Sequence, residues 1–151
     1  MVSVFKVVCV ATLLATSVAH ADVGREEMLA EIVRKFAAQL ESEWQQCLKS
    51  PDTRTTNDSE RCALTMQQAA EDAVRQKYQE KLVRTEQDAL QKMLPEDVPP
   101  MLRKAQAAWE QYVKADCDAV GALVTGTAST TYQLVCEYRH NVQRLHALDE
   151  W

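Results

Sequence analysis

Glycine, proline and aromatic residues are all sparse: 3 glycines, 4 prolines and 6% aromatic side chains in 151 residues. With so few glycines there is no loop able to cradle a phosphate, which needs clustered glycines so that backbone N–H groups can approach the ligand. Histidine is scarce as well, with only His140 and His146 beyond residue 21. Six positions apart on a helix, they point to nearly opposite faces, cannot share a metal ion, and read as surface side chains. No nucleophile stands with a base, and neighbouring acids such as Glu41 with Glu43, or Glu71 with Asp72, fit a solvated face rather than a converging pair. The chain therefore reads as a non-enzyme without a cofactor. Positive charge is also in deficit. The 17 basic side chains face 22 acidic ones, a formal charge of −5, which argues against nucleic acid or anionic lipid as a target and for either plain solubility or docking on a basic partner.

No apolar run is long enough for a bilayer, which takes about 20 residues, so stable membrane insertion is not expected. The longest, Val7 to Ala19, follows Lys6 and ends in the small-residue exit Ala19-His20-Ala21, the anatomy of a cleavable secretory signal. Cleavage after Ala21 would discard Cys9 and leave residues 22–151, which carry 16 basic and 22 acidic side chains. That length suits one domain, secreted or periplasmic, with one modest core. It shows no internal repeat, low-complexity tract or second domain.

The glycines and prolines punctuate long segments whose apolar residues recur at the helical period. The first runs from about Gly24 to Lys49, with Leu29, Ile32, Phe36, Leu40, Trp44 and Cys47 on one face. Residues 51–59 hold no large apolar side chain and form a solvent loop. Asn57 with Glu60 three positions on has the pattern of a capping box, so a second helix starts there. Its inward line is Cys62, Met66, Ala70, Val74, Tyr78 and Leu82, continuing through Leu90 to Met93 and Leu94. Pro95, Pro99 and Pro100 separate it from a third helix with Leu102, Ala105, Trp109, Tyr112 or Val113, and Cys117 inward. Gly121 and Gly126 bracket a Thr-rich turn, after which Thr130 and Gln133 cap a fourth helix with Val135, Val142, Leu145 and Leu148 inward. Four helices with short connections predict an all-α antiparallel bundle.

Cys47, Cys62, Cys117 and Cys136 form an even set bound for a compartment where disulfides persist. Three pairings are possible, and in an up-down bundle all four lie at the same end, so geometry alone does not choose. Loop closure favours the local pairs, Cys47 with Cys62 and Cys117 with Cys136, each stapling one hairpin at about 3 kcal/mol in the chain-entropy model. Without a C-x-x-C spacing, zinc is a poor alternative.

Cys62-Ala63, Ala69-Ala70 and Tyr78 form one signature; Ala105-Gln106, Ala108-Trp109, Tyr112 and Ala115-Asp116-Cys117 a second; Cys136, Arg144 and Leu148 a third. Together they resemble the bacterial secreted domain family named after the lysozyme inhibitor LprI, over roughly Cys47 to Leu148. Val113-Lys114 stands where the family usually has an Arg-acid pair, and Gly126-Thr127 where it has Gly-Ser. The resemblance implies an exported helical domain and suggests lysozyme as a candidate partner.

Trp109 and Tyr112, one turn apart and on the side of Cys117, are expected to fill the core beside a disulfide. Gln106 and Arg144 are expected to clamp the third helix to the fourth near the bundle surface, with a recognition point as the alternative. Function is then expected to be binding. The loop acids Asp52 and Asp58, with nearby Glu60, would enter the cleft of lysozyme or another basic envelope protein and block it without chemistry, and the turn 121–129 is the second exposed element. The alternatives are a structural or accessory envelope module acting through a helical face, and an unrecognised hydrolase.

Overall fold

In the computed structural model the backbone is described for residues 11–151, and side chains for residues 24–151 apart from Glu26. Residues 1–10 of the expected leader lie outside the described residues, as do the side chains of its remainder. The described residues form four helices and no strand: α1 (Ala11–Leu48), α2 (Thr56–Leu90), α3 (Val98–Leu123) and α4 (Ser129–Asp149). No helix among them is long and apolar enough to cross a membrane.

Local chemistry sets the boundaries. Thr55, with extended backbone at φ −123° and ψ 165°, caps α2: its hydroxyl accepts the Asp58 N–H at 3.3 Å, and the Asp58 carboxylate accepts the Thr55 N–H at 2.9 Å. The capping box thus stands two residues before the expected Asn57–Glu60 pair, because Thr55 is the last residue whose backbone is still extended. α2 stops when Lys92 takes a left-handed φ of 60° and the Met93 N–H turns back to the Asp88 carbonyl at 2.8 Å. Leu90, still in the helix, is exposed because Ala89 holds the inward position, and beyond the turn Met93 and Leu94 are exposed too, instead of continuing the core as expected. Pro99 sits in the first turn of α3, where its missing N–H costs nothing. α4 begins without the expected Thr130–Gln133 cap; the Ser129 hydroxyl instead donates to the Gly121 carbonyl at 2.7 Å, after Gly126 turns the chain at φ 89°.

The antiparallel bundle is flattened. α2 and α4 pack against each other as the central pair, and α1 and α3 lie on opposite sides of them without touching among the described residues. One apolar cluster gathers Val33, Val74, Leu145 and Leu148, with Tyr78 and Trp109 against it; a second gathers Leu40, Met66, Ala70 and Tyr138. Phe36 and Val142 join the two. The α1 face is led by Val33, while the expected Ile32 is exposed. At 3.6 residues per turn each step of four drifts about 40°, so three such steps carry Ile32 about 120° from Trp44. On α3, Tyr112 stands six residues and so about 120° from the buried Gln106, while Val113, seven residues on and within about 20° of it, takes the inward place.

Both disulfides are the local ones, Cys47–Cys62 and Cys117–Cys136, with Cα atoms 5.8 and 5.5 Å apart. The Thr127 hydroxyl donates to that of Thr56 at 3.4 Å, laying the two stapled loops side by side at one end. The chain closes at Trp151, whose ring lies 4.2 Å from the Arg144 guanidinium and whose carbonyl accepts the Lys81 ammonium at 3.2 Å.

Candidate functional site

At the stapled end, residues 49–61 carry three acids, Asp52, Asp58 and Glu60, against three bases, Lys49, Arg54 and Arg61. Asp58 is occupied by the loop itself. It takes the Thr55 hydroxyl at 2.7 Å, the N–H groups of Arg54 and Thr55, and an ion pair with Arg61. The Thr55 hydroxyl, then the two backbone N–H groups, hold its carboxyl below the usual carboxylate range. Arg54 ties back to the Pro51 carbonyl at 2.8 Å, and the Thr53 hydroxyl donates to the Cys47 carbonyl at 2.6 Å. Asp52 stays at the exposed tip, and Glu60 is half-buried near the start of α2.

A second locus opens on the flank, where α2, α3 and α4 frame a cleft of about 500 Å³. Its lining is polar in an unusual way: Gln67, Gln106 and Asn141, three of the four buried polar side chains among the described residues, face it, and the fourth, Arg144, stands behind Gln106. Arg144 Nε and Nη2 both donate to Gln106 Oε1, at 3.1 and 2.9 Å, while Gln106 Nε2 donates to Glu110 at 3.0 Å. Gln106 is 5% and Arg144 8% exposed, so the pair is a buried link between α3 and α4 and not a surface one. The guanidinium lies between two indoles, 5.4 Å from Trp109 and 4.2 Å from Trp151. Burial lowers the pKa of Arg144 and raises that of the Tyr78 phenol. At the mouth Glu137 is half-buried; its carboxyl is raised first by burial and then by Glu71 and Asp118, against one opposing bond from the Gln133 amide at 3.2 Å.

The structure brings Tyr78, Gln106 and Trp109 to this cleft, holds Arg144 behind Gln106, and sets Leu148 in the core beneath, packed in the cluster that Trp109 joins. Tyr112 is elsewhere. It is 57% exposed and meets His140 edge-on at 5.4 Å, contrary to its expected core place beside the disulfide. The loop acids belong to the other locus. Gln67 and Asn141 were not singled out by sequence reasoning, yet each carried a signal: a polar amide inside an apolar stripe, between Ala63 and Ala70 on α2 and between Tyr138 and Leu145 on α4.

On the opposite face His140 is not the surface side chain expected: it is largely covered and bonds Asp116 at 2.8 Å beside the Cys117–Cys136 disulfide. The ligand atoms of Asp116, Cys117, Cys136 and His140 lie within 4.8 Å of one another. In the disulfide neither sulfur is a thiolate, so the set offers no cysteine ligand for zinc.

A family model described as lysozyme inhibitor LprI matches residues 47–148. The chain belongs to the LprI family. No curated protein and no solved structure matches it. The LprI match opens at the first bonded cysteine and closes at Leu148, so both disulfides and the whole flank cleft fall inside it. The part of α1 that supplies Val33, Phe36 and Leu40 to the core precedes it.

Proposed function

We propose that this LprI-family protein is an exported cell-envelope binding protein that inhibits a lysozyme by obstructing its substrate cleft with the stapled end of the bundle. One observation carries the reading: two disulfides and the Thr56–Thr127 bond hold both loops at one end. A surface fixed before binding loses less freedom on docking, so more of the contact energy is left as affinity. Within it Asp52 and Glu60 are the acids free to meet a basic partner, and Asp58 keeps the loop in shape. The leader-like start and the disulfides support export to an oxidising compartment. The family's description supports lysozyme as the target, and obstruction needs no nucleophile.

The test is a lysozyme turbidity assay with purified, oxidised protein. Inhibition is expected, and Asp52→Asn with Glu60→Gln should weaken it by about tenfold, the loss for roughly 1.4 kcal/mol of charge pairing at a docked surface. No inhibition of several lysozyme types at large molar excess would refute the reading, and an unchanged inhibition constant in the double variant would remove these acids from it.

A further inference from the structure

The flank cleft combines features that a purely structural cavity does not need. Asn141 is 4% exposed, lines the cleft, and has no side-chain hydrogen-bond partner among the described residues. Its amide opens onto the cleft and not onto a protein partner, and an occupant of the cleft can take the hydrogen bonds it offers. Glu71, Glu110 and Glu137 reach the same space from three different helices. The bases at its mouth are already engaged: Arg75 is held by Glu71 and Asp72, both at 3.1 Å, and Lys114 by Asp118 at 2.8 Å. Glu137 has no ion-pair partner among the described residues and receives only the neutral Gln133 amide. Glu110 likewise receives only the Gln106 amide, so the cleft holds carboxylates without an ion-pair partner among the described residues.

We propose that this cleft receives an arginine side chain from a partner protein, its guanidinium paired with Glu137 and hydrogen-bonded by the Asn141 amide, with Trp109 and Tyr78 as the walls it lies against. The protein already shows how these groups hold a guanidinium: Arg144, one layer deeper, is forked onto the Gln106 amide oxygen and lies against the Trp109 ring. The fork of N–H donors suits an amide oxygen and a carboxylate together, and its flat face suits an indole. The volume is within the range of side-chain and small-ligand pockets. A saccharide would use the amides and rings but has no need of an uncompensated carboxylate, which is why the cation is favoured. The site is separate from the stapled end, and the two readings fail separately.

The experiment is an amide NMR titration of the oxidised full chain with acetyl-Gly-Arg-Gly-amide, beside the same peptide with citrulline, the neutral isostere of arginine, and beside a chitin trisaccharide. The arginine peptide is expected to shift the Asn141 side-chain amide and the Trp109 indole N–H saturably. The citrulline peptide, and the arginine peptide on Glu137→Gln, should bind about tenfold more weakly, because the charge-assisted pair is gone. Asp52→Asn should leave the titration unchanged, which separates this site from the stapled end. No saturable shift, equal binding of the citrulline peptide, or a trisaccharide that takes the Asn141 amide in preference to arginine would each overturn the proposal. The citrulline comparison uses the native chain and so stands even where a variant folds poorly.

Discussion

Replacing Gln106 should destabilise the bundle more than replacing the arginine it binds. Gln106 Oε1 is the acceptor for two N–H groups of a buried cation, at 3.1 and 2.9 Å. Gln106→Leu keeps the volume but strands both donors, and hydrogen bonds to a charged group are worth about 1.5–3 kcal/mol each, so the loss is about 4 kcal/mol. Arg144→Met removes the charge along with the bonds. It leaves one neutral amide oxygen short of a partner and forfeits stacking on Trp109 and Trp151, together about 2 kcal/mol. In Gln106→Leu/Arg144→Met neither group is stranded, so the double variant should lose only about 3 kcal/mol where the singles sum to about 6, a coupling of about 3 kcal/mol. A domain of this kind has about 5–15 kcal/mol in all, which leaves every variant foldable. Urea unfolding followed by circular dichroism, with slopes that stay constant across the four proteins, measures the cycle. Additive losses, or Arg144→Met costing more than Gln106→Leu, would refute the account of this pair as a buried cation completed by one amide.

The disulfides close loops of 15 and 19 residues, so Cys47→Ser/Cys62→Ser and Cys117→Ser/Cys136→Ser should each cost about 3 kcal/mol in thermal unfolding. A double-serine variant as stable as the native chain would remove that pair as a staple. Glu137 binds its proton more tightly in the folded state than in the unfolded one, because burial, Glu71 and Asp118 raise its carboxyl while Lys114 and Gln133 only partly oppose them. Its charge therefore costs stability that appears as pH rises from the ordinary carboxylate range through the raised folded value. Glu137→Gln should raise the melting temperature at about pH 7 and change it little at about pH 4, and an equal change at both would refute that cause. Arginine-peptide binding should run the other way, weakening as pH falls and Glu137 is neutralised.

The helices, their order and both disulfides were legible because each rests on local information: period, punctuation and loop length. What was not legible follows from geometry that a stripe of i+4 steps conceals. Ile32 begins such a stripe, and the accumulated drift of the helix takes it to the outside while Val33 moves in; of the two expected alternatives on α3, Val113, one i+4 step from Trp109, is inward and Tyr112, one i+3 step from it, is exposed. The end of α2 was missed because Lys92 adopts a left-handed turn that no glycine announces. Asp58 was read as an acid presented to a partner, where Thr55, Arg54 and Arg61 absorb it into the loop. The Gln106–Arg144 link was expected as a clamp between the third and fourth helices; its depth in the bundle was not, because burial depends on how closely α3 and α4 approach.

Gln67, Gln106, Asn141 and Arg144 come from three helices, and each interrupts a stripe that is otherwise apolar. A sequence selected only for packing would fill such positions with Leu or Ala, since apolar side chains there need no partner. Gln106 and Arg144 satisfy one another, so their cost is offset inside the bundle. Asn141 is not matched in this way among the described residues, and neither is the charge of Glu137, one turn before it on α4. Places where local preference and global fold disagree are where function tends to sit. In this bundle the buried amides and the unpaired carboxylates gather along one flank, while the stapled end carries a capping box and balanced charge. The stapled end therefore supplies a rigid shape, and the flank supplies chemistry still open to a partner.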